Sequence, residues 1–279
     1  MEYDGKKYWQ ERLESDFSLN SIGYKGLGLP YNRWLYRKRA RVFKRVLRLL
    51  NVTPETSVVE IGPGNGFYVS LWNSLGVKKL VGFDITQVAV ANLKKSFPSY
   101  EFYQADITSA QMPAGGPFSV VTAFDVIFHI PDDELFERAM KNASSFMSDE
   151  GTLLITDCVF DENTSITSSA PHFRARSERM YEDVLERHGL AIIARYPVFS
   201  YMHPRIVFSR RQVVTFFSKV FNRLLTTVLR LAAPMGFVLG PVLYFVDCVL
   251  DSLGVRGRSV QLLVIKRSAS GKRDPLVRN

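Results

Sequence analysis

Nine residues, Val58 to Gly66, constrain this chain more than any other stretch. Their sequence, Val-Val-Glu-Ile-Gly-Pro-Gly-Asn-Gly, ends an apolar run in an acid and follows it with three alternating glycines. Residues 56–61 are β-branched and apolar enough for a buried strand, and residues 67–75 can form a helix. Glycines between them let the backbone turn sharply and approach a ligand where any Cβ would collide. The unit reads as a nucleotide-cofactor turn. By itself it leaves the nucleotide open, because similar turns hold dinucleotides and phosphates.

The downstream strands narrow the choice. Residues 80–83 form a second short apolar strand ending at Asp84, eighteen residues after Gly66. A carboxylate there accepts hydrogen bonds from both ribose hydroxyls, and its charge disfavours a 2′-phosphate. Residues 101–105 read as a third strand with Asp106 at its tip beside Ile107, a pair suited to an adenine amine and ring face. Fourth and fifth strands are expected at 118–124 and 151–157. All five carry polar or turn-forming residues at one sheet edge, the edge that binds ligands in open α/β sheets. Each acid also has a plain structural reading: Glu60 as a helix-capping acid, Asp84 as an N-cap before Ile85-Thr86, and Asp106 as a turn residue.

Glu-x-Gly-x-Gly-x-Gly at 60–66, Asp84, Asp106 and the stretch Phe124-Asp125-Val126-Ile127-Phe128-His129-Ile130 resemble the class I S-adenosylmethionine-dependent methyltransferases of the small-molecule type, over residues 55–160. The resemblance implies an α/β fold with a Rossmann-like, seven-stranded, mostly parallel sheet and an antiparallel last strand. It also implies S-adenosyl-L-methionine as cofactor. By that likeness Glu60, Gly62, Gly64 and Gly66 line the methionine end, Asp84 the ribose, and Asp106 and Ile107 the adenine, with Ile85 a further cofactor-binding residue. Phe124 lies near the amino-acid moiety. Two other classes stay open. A nicotinamide-dependent oxidoreductase shares the glycines and ribose acid, but Asp106, the placing of Glu60 and an antiparallel final pair oppose it. A non-catalytic binding protein on this fold, tethered to membrane or RNA by basic helices, is the other. The absence of an aromatic-and-basic RNA motif disfavours nucleic acid.

At 279 residues the chain suits one main catalytic domain with a sizeable core. Cys158 and Cys248 make neither a disulfide framework nor a metal cluster, so a reducing compartment and no metal site are expected. Glu2, Asp4, Lys6 and Lys7 leave the N-terminal stretch without a signal-peptide apolar core, which points to the cytoplasm. A peripheral position at the membrane is the alternative.

Charge is uneven. From 203 to 279 there are thirteen Lys or Arg against three acids, a surplus of ten, which against a net +9 leaves residues 1–202 at minus one. A second basic cluster, Arg33, Arg37, Lys38, Arg39, Arg41, Lys44, Arg45 and Arg48, shares its segment with Leu35, Val42, Phe43, Val46, Leu47 and Leu50 at helical spacing. The cations are expected mainly on the opposite, solvated face, with an anionic substrate or surface as the alternative.

Residues 1–50 are expected to form a helical lid. Tyr8, Trp9, Leu13 and Phe17 make its apolar face, the glycines at 23, 26 and 28 a flexible loop, and an aromatic or Arg33 the contact with cofactor or acceptor. The core comprises 51–197 and 259–268, with a sixth strand at 191–196, a seventh at 259–266 and a flexible tail at 269–279. Between those strands lie about sixty residues, far more than a hairpin loop needs. This 198–258 insertion begins with a basic amphipathic helix: Val213, Phe216, Phe217, Val220, Phe221, Leu224, Leu225 and Val228 form one face, with Arg210, Arg211, Lys219, Arg223 and Arg230 elsewhere. Residues 231–246 then carry no charge but are interrupted by Pro234, Gly236, Gly240 and Pro241. Sixteen uncharged residues fall short of the ~20 a spanning helix needs. Helical pieces covering the active site are expected, with membrane-surface contact through 210–246 as the alternative.

The acceptor is read as a small molecule, most simply a hydroxyl oxygen of a natural product, sugar or lipid-like compound. Nitrogen and carbon acceptors remain open. No Asn/Asp-Pro-Pro-aromatic pattern follows the fourth strand, no Pro-Cys nucleophile is present, and Asp157-Cys158 lacks the adjacent Asp-Asn of metal-dependent catechol-type enzymes. That favours metal-independent transfer. His129, after the fourth strand, is the first candidate general base and His172 the second; His203 opens the insertion, and His188 beside Gly189 reads as a helix C-cap. The polar loop 161–176, with His172, Arg174 and Arg176, is a further candidate for binding an acidic acceptor.

Overall fold

The computed structural model describes residues 3–110, 112, 116–160, 171–200, 202–203, 212–254 and 260–268, with only the backbone of 212–219. Three helices come first: α1 (Gly5–Ser15), α2 (Leu19–Ile22) and α3 (Gly28–Leu49). Asp4 and Ser18 start α1 and α2 by accepting from the N–H groups of Lys7 and Asn20. Then β1 (Ser57–Ile61), α4 (Phe67–Ser74), β2 (Lys79–Asp84), α5 (Gln87–Ser96) and β3 (Glu101–Gln104) alternate. Next come β4 (Phe118–Phe124), α6 (Asp133–Ser145), β5 (Met147–Asp157), a short pair β6 (Val159–Phe160) and β7 (Arg176–Ser177), α7 (Glu178–Arg187) and β8 (Leu190–Pro197). The chain continues through α8 (Gln212–Leu231) and α9 (Gly236–Ser252) to β9 (Gln261–Arg267).

Seven strands make one sheet in the order β3-β2-β1-β4-β5-β9-β8. The first five are parallel, and β9 runs antiparallel to both neighbours. This is the expected Rossmann-like arrangement, with helices before the sheet and between its last two strands. The chain leaves β1 toward β2 and β3, then returns to β4 on the other side of β1, so the strand order reverses between β1 and β4. Open α/β sheets bind ligands at the carboxyl ends of such a pair.

Alternating side chains feed two cores because both faces of the central strands are covered. Val58, Val120 and Leu154 pack with residues of α3, α4 and α5, while Val59, Val121, Leu153 and Ile155 meet α6 and α7. His188 caps α7, with Gly189 behind it at φ 66°.

Three local expectations change. Lys38 and Arg39 of α3 are buried, Lys38 against Asp247 at 3.3 Å and Asp251, Arg39 against Asp125 at 2.7 Å. Partners from distant elements turned these two cations inward. The loop at 23–28 is stapled by buried Asn32, which accepts from the Tyr24 N–H and donates to Asn20, Tyr24 and Gly28 oxygens. Finally, α9 runs through Gly240 and Pro241 unbroken; Gly240 is where Trp34 of α3 packs closest, so tertiary packing overrides the local preference. Arg210, Arg211, Ser259 and the tail 269–279 lie outside the described residues, as do residues 161–170.

Candidate active site

At the carboxyl ends of β1 and β4 lies a mostly apolar cavity. Gly62 and Gly64 form its floor at φ 67° and 53°, a left-handed backbone that disfavours other residues. A Cβ on Gly62 would stand 2.5 Å from Val126 of the opposite strand end, so the two chain segments close on each other only with glycine here. Gly66 has a different task. It does not line the cavity, and a Cβ on it would meet Leu93 at 2.7 Å, which makes it the packing point between α4 and α5.

The predicted acids separate likewise. Asp84 is buried on the cavity wall; one oxygen accepts from the Gly64 N–H at 2.9 Å, the other from the Thr86 N–H and hydroxyl at 2.9 and 2.7 Å. Burial raises its pKa against those bonds. Thr86, rather than Asp84, is the N-cap of α5. Asp106 lines the cavity with Ile107, and its Oδ1 closes a turn by accepting from Thr108, so the structural and cavity placements coexist. Ile85 and Phe124 are walls as well. Glu60 is not. It lies buried behind the turn, accepting from Trp72 Nε1 at 2.9 Å, and burial pushes its pKa up to about 8. The indole reaches Glu60 from α4, the helix that the glycine turn launches.

Next to this cavity is a second, more polar than the first. Trp9, Ile22, Tyr36, Asp125 and His129 line both. His129 sits in a 3₁₀ turn (Ile127–His129), edge-on to Trp9 at 4.8 Å. Its Nδ1 is 2.7 Å from the carbonyl oxygen of His172. Because a carbonyl only accepts, Nδ1 carries the proton and the neutral ring presents a lone pair on Nε2. Burial, the largest influence, lowers its pKa to about 4. His172 lines only the second cavity, its ring stacked on Tyr8 at 4.9 Å. His203 lines that cavity too, stacked on Phe199.

Several further residues of the site come from positions whose role the sequence alone does not reveal. Asp125, directly after β4, has φ 58° although it is not glycine, a strained conformation of the kind that gathers at functional sites. It is held by two bonds from Arg39, at 2.7 and 3.0 Å, and its N–H donates to Thr156 at 2.7 Å. Tyr36 and Tyr68 add aromatic walls, and burial raises both hydroxyl pKa values. Of the expected lid contacts, Trp9 and Leu13 reach the first cavity with Tyr3, whereas Arg33 is exposed and lines neither. Arg12 stands at the second cavity instead, donating to the Tyr8 hydroxyl and the carbonyls of Ser21 and Gly23. Arg176 is buried and tied to Asp133 and the Ile130 carbonyl, and exposed Arg174 also pairs Asp133, so these two brace α6 and not an acceptor.

Fold and cavity together define the class of the S-adenosylmethionine-dependent methyltransferases. A family model described as a methyltransferase domain matches residues 31–195, more than half of the chain, and the chain belongs to that family. Among solved structures it is similar to a putative sarcosine dimethylglycine methyltransferase from Galdieria sulphuraria, at TM-score 0.57 and 12% identity, covering 95% of this chain and 99% of that one. Magnesium protoporphyrin IX methyltransferase from Synechocystis PCC 6803, with bound SAM, aligns at TM-score 0.53 and 15% identity over 72% and 93%. The StiE O-methyltransferase segment 961–1257 aligns at TM-score 0.51 and 17% identity over 85% and 76%. At such identities these likenesses establish the fold. No curated protein matches the chain by sequence.

Proposed function

We propose that this enzyme transfers a methyl group to a hydroxyl oxygen of a small-molecule acceptor, with the cofactor in the first cavity and the acceptor in the second. The observation that carries this reading is the shared wall: His129 borders both chambers with the lone pair of Nε2 available. The cofactor, when bound, supplies an electrophilic methyl on its sulfonium. The residues present fit it. The Gly62–Gly64 floor leaves the backbone bare of side chains, Asp84 offers a carboxylate for ribose hydroxyls, and Asp106 with Ile107 suits an adenine. Asp125, fixed by Arg39, adds a carboxylate for the cationic amino-acid end.

On the acceptor side, the bond from Nδ1 to the His172 carbonyl fixes the His129 ring, so Nε2 can take the proton that the acceptor hydroxyl releases. Tyr3, Trp9 and Leu13 roof the cofactor chamber and exclude water. Helix α1 is held there by Gln10, whose Oε1 accepts from the Gln87 N–H at 3.0 Å. It acts as the lid.

Calorimetric titration with S-adenosylmethionine and its demethylated product tests the cofactor assignments. Both should bind, and Asp84→Ala should weaken binding about 10- to 100-fold, the loss expected for hydrogen bonds to a charged group. Asp106→Ala should weaken it less. Unchanged affinity in both variants would remove these residues from the cofactor site. Product formation in a screen of phenols, sugars and lipid-like alcohols then identifies the acceptor; turnover only on amines would overturn the oxygen assignment.

A further inference from the structure

Helix α9 divides lengthwise into two unlike halves. One half faces α3: Gly236 lies against Tyr31 and Gly240 against Trp34, while Asp247 and Asp251 both meet Lys38 farther along. Asp247 is fully buried and also accepts from the Ser200 and Met202 N–H groups at 3.0 to 3.1 Å. The other half is apolar and bare. Phe237, Val242, Phe245, Val249 and Leu253 project from it, Phe245 at 68% exposure. Exposed apolar side chains recur on α8, which a single 3₁₀ turn joins to α9: Leu231, at 84% exposure, and Leu224. Monomeric soluble proteins rarely leave so much contiguous apolar surface open.

Charge beside this face identifies what covers it. Helix α3 has no acid along its length, and its outer side carries exposed Arg33, Arg37, Arg41, Arg45 and Arg48. Arg37 stacks over Trp34 and over Tyr244 of α9, at 5.1 and 5.9 Å, and Arg41 hydrogen-bonds the Tyr244 side chain, so two guanidinium groups and two amphipathic rings stand at the seam between α3 and α9. The acids of α9 are committed to Lys38 and the backbone on the inner side. An apolar face edged by arginines and aromatic rings, with no exposed carboxylate on either helix, matches an anionic bilayer surface, where the apolar side chains enter the acyl boundary and the arginines meet lipid phosphates. A second copy fits poorly, because it would bring one arginine row toward another with no carboxylate between them. By length and composition Ala233–Ser252 is apolar enough to cross a membrane. Its inner side packs along α3 and carries the buried Asp247–Lys38 pair, which makes it an in-plane element instead.

We propose that the α3–α9 face, extended by α8, docks this enzyme onto anionic membrane surfaces. The test is flotation of the full-length protein with phosphatidylcholine vesicles made with and without phosphatidylglycerol. The protein should float with the anionic vesicles, and the bound fraction should fall as salt rises. Arg37→Glu/Arg41→Glu should lower vesicle affinity at least about tenfold. Phe237→Ser/Phe245→Ser should abolish flotation while calorimetric binding of S-adenosylmethionine persists, which separates a lost surface from a lost fold. Protein left at the bottom with anionic vesicles would overturn the proposal, as would binding that ignores both lipid charge and the arginine exchange. A dimer in solution that Phe237→Ser/Phe245→Ser dissociates would assign the face to a second copy instead.

Discussion

Because the His172 carbonyl fixes which nitrogen of His129 holds the proton, the ring is set up to accept on Nε2, and burial decides the pH range over which it does so. An imidazole in water begins to charge near pH 6.5. In this pocket the charged ring is penalised and the pKa falls to about 4. The neutral, accepting form therefore persists as pH drops through 6.5 and is lost only near 4. If His129 is the base, the acidic limb of kcat/KM should centre near pH 4, and His129→Ala should lower kcat by about 10²- to 10⁴-fold. A limb at 6.5, or full turnover by the alanine variant, would exclude this role. The same shift has a stability consequence of definite sign. Between pH 6.5 and 4 the unfolded ring takes up a proton that the folded ring refuses, so this contribution to stability is present above 6.5 and is lost on acidification, by about 1.4 kcal/mol per pH unit. His129→Asn should lessen that dependence in denaturant melts at pH 7 and 5.

At the scale of elements, α3 shows what a helical pattern reveals and what it hides. Its apolar stripe was legible from spacing, since Leu35, Val42, Phe43, Val46 and Leu47 all reach the core. The inward turn of Lys38 and Arg39 was not, because periodicity treats every cation as solvated and their partners lie 86 to 213 residues away. Arg39 links α3 to the strained residue after β4. Removing one member of such a buried pair leaves a charge without its counterion, so Arg39→Met should cost about 3–5 kcal/mol, and adding Asp125→Asn should recover part of that loss. Urea melts of the two singles and the double decide it; a loss below about 1 kcal/mol in Arg39→Met would mean that solvent screens Asp125 as at an exposed pair. The same distinction governs the site. Strands β1, β2, β4 and β5 were legible because buried parallel strands are largely apolar runs with polar ends, whereas edge strand β3 buries only Phe102; the glycine turn, Asp84, Asp106 and Phe124 belong to strand ends. Tyr36 and Arg12 carried no such local signal, since the fold brings them in from separate elements; Asp125 lay within the matched stretch 124–130, but its bond to Arg39 of α3 did not show. Glu60 looked like a ligand contact because its strand-end position could not show that Trp72 would bind it from behind.

For the molecule as a whole, the surplus of positive charge and the insertion become one feature. The net +9 resides in the C-terminal part by sequence, yet in space Arg37 and Arg41 of α3, from the N-terminal part, both meet Tyr244 of α9. Helix α8 connects that surface to the second cavity. Arg230 lines the second cavity, while Leu231 beside it is exposed on the apolar side. If the face docks on a bilayer, the acceptor chamber opens close to the lipid, which favours an acceptor that partitions into membranes. The consequence is kinetic. With a lipid-soluble phenol or alcohol that the enzyme methylates, initial rates of cofactor demethylation should be several-fold higher when the acceptor is presented in anionic vesicles than in neutral ones at equal total concentration. Electrostatic concentration at the surface supplies the difference, so it should shrink with salt and vanish in Arg37→Glu/Arg41→Glu. With a fully water-soluble acceptor the two vesicle types should give equal rates. Equal rates for the lipid-soluble acceptor as well, from protein that floats with the anionic vesicles, would mean that docking positions the enzyme without feeding its acceptor chamber.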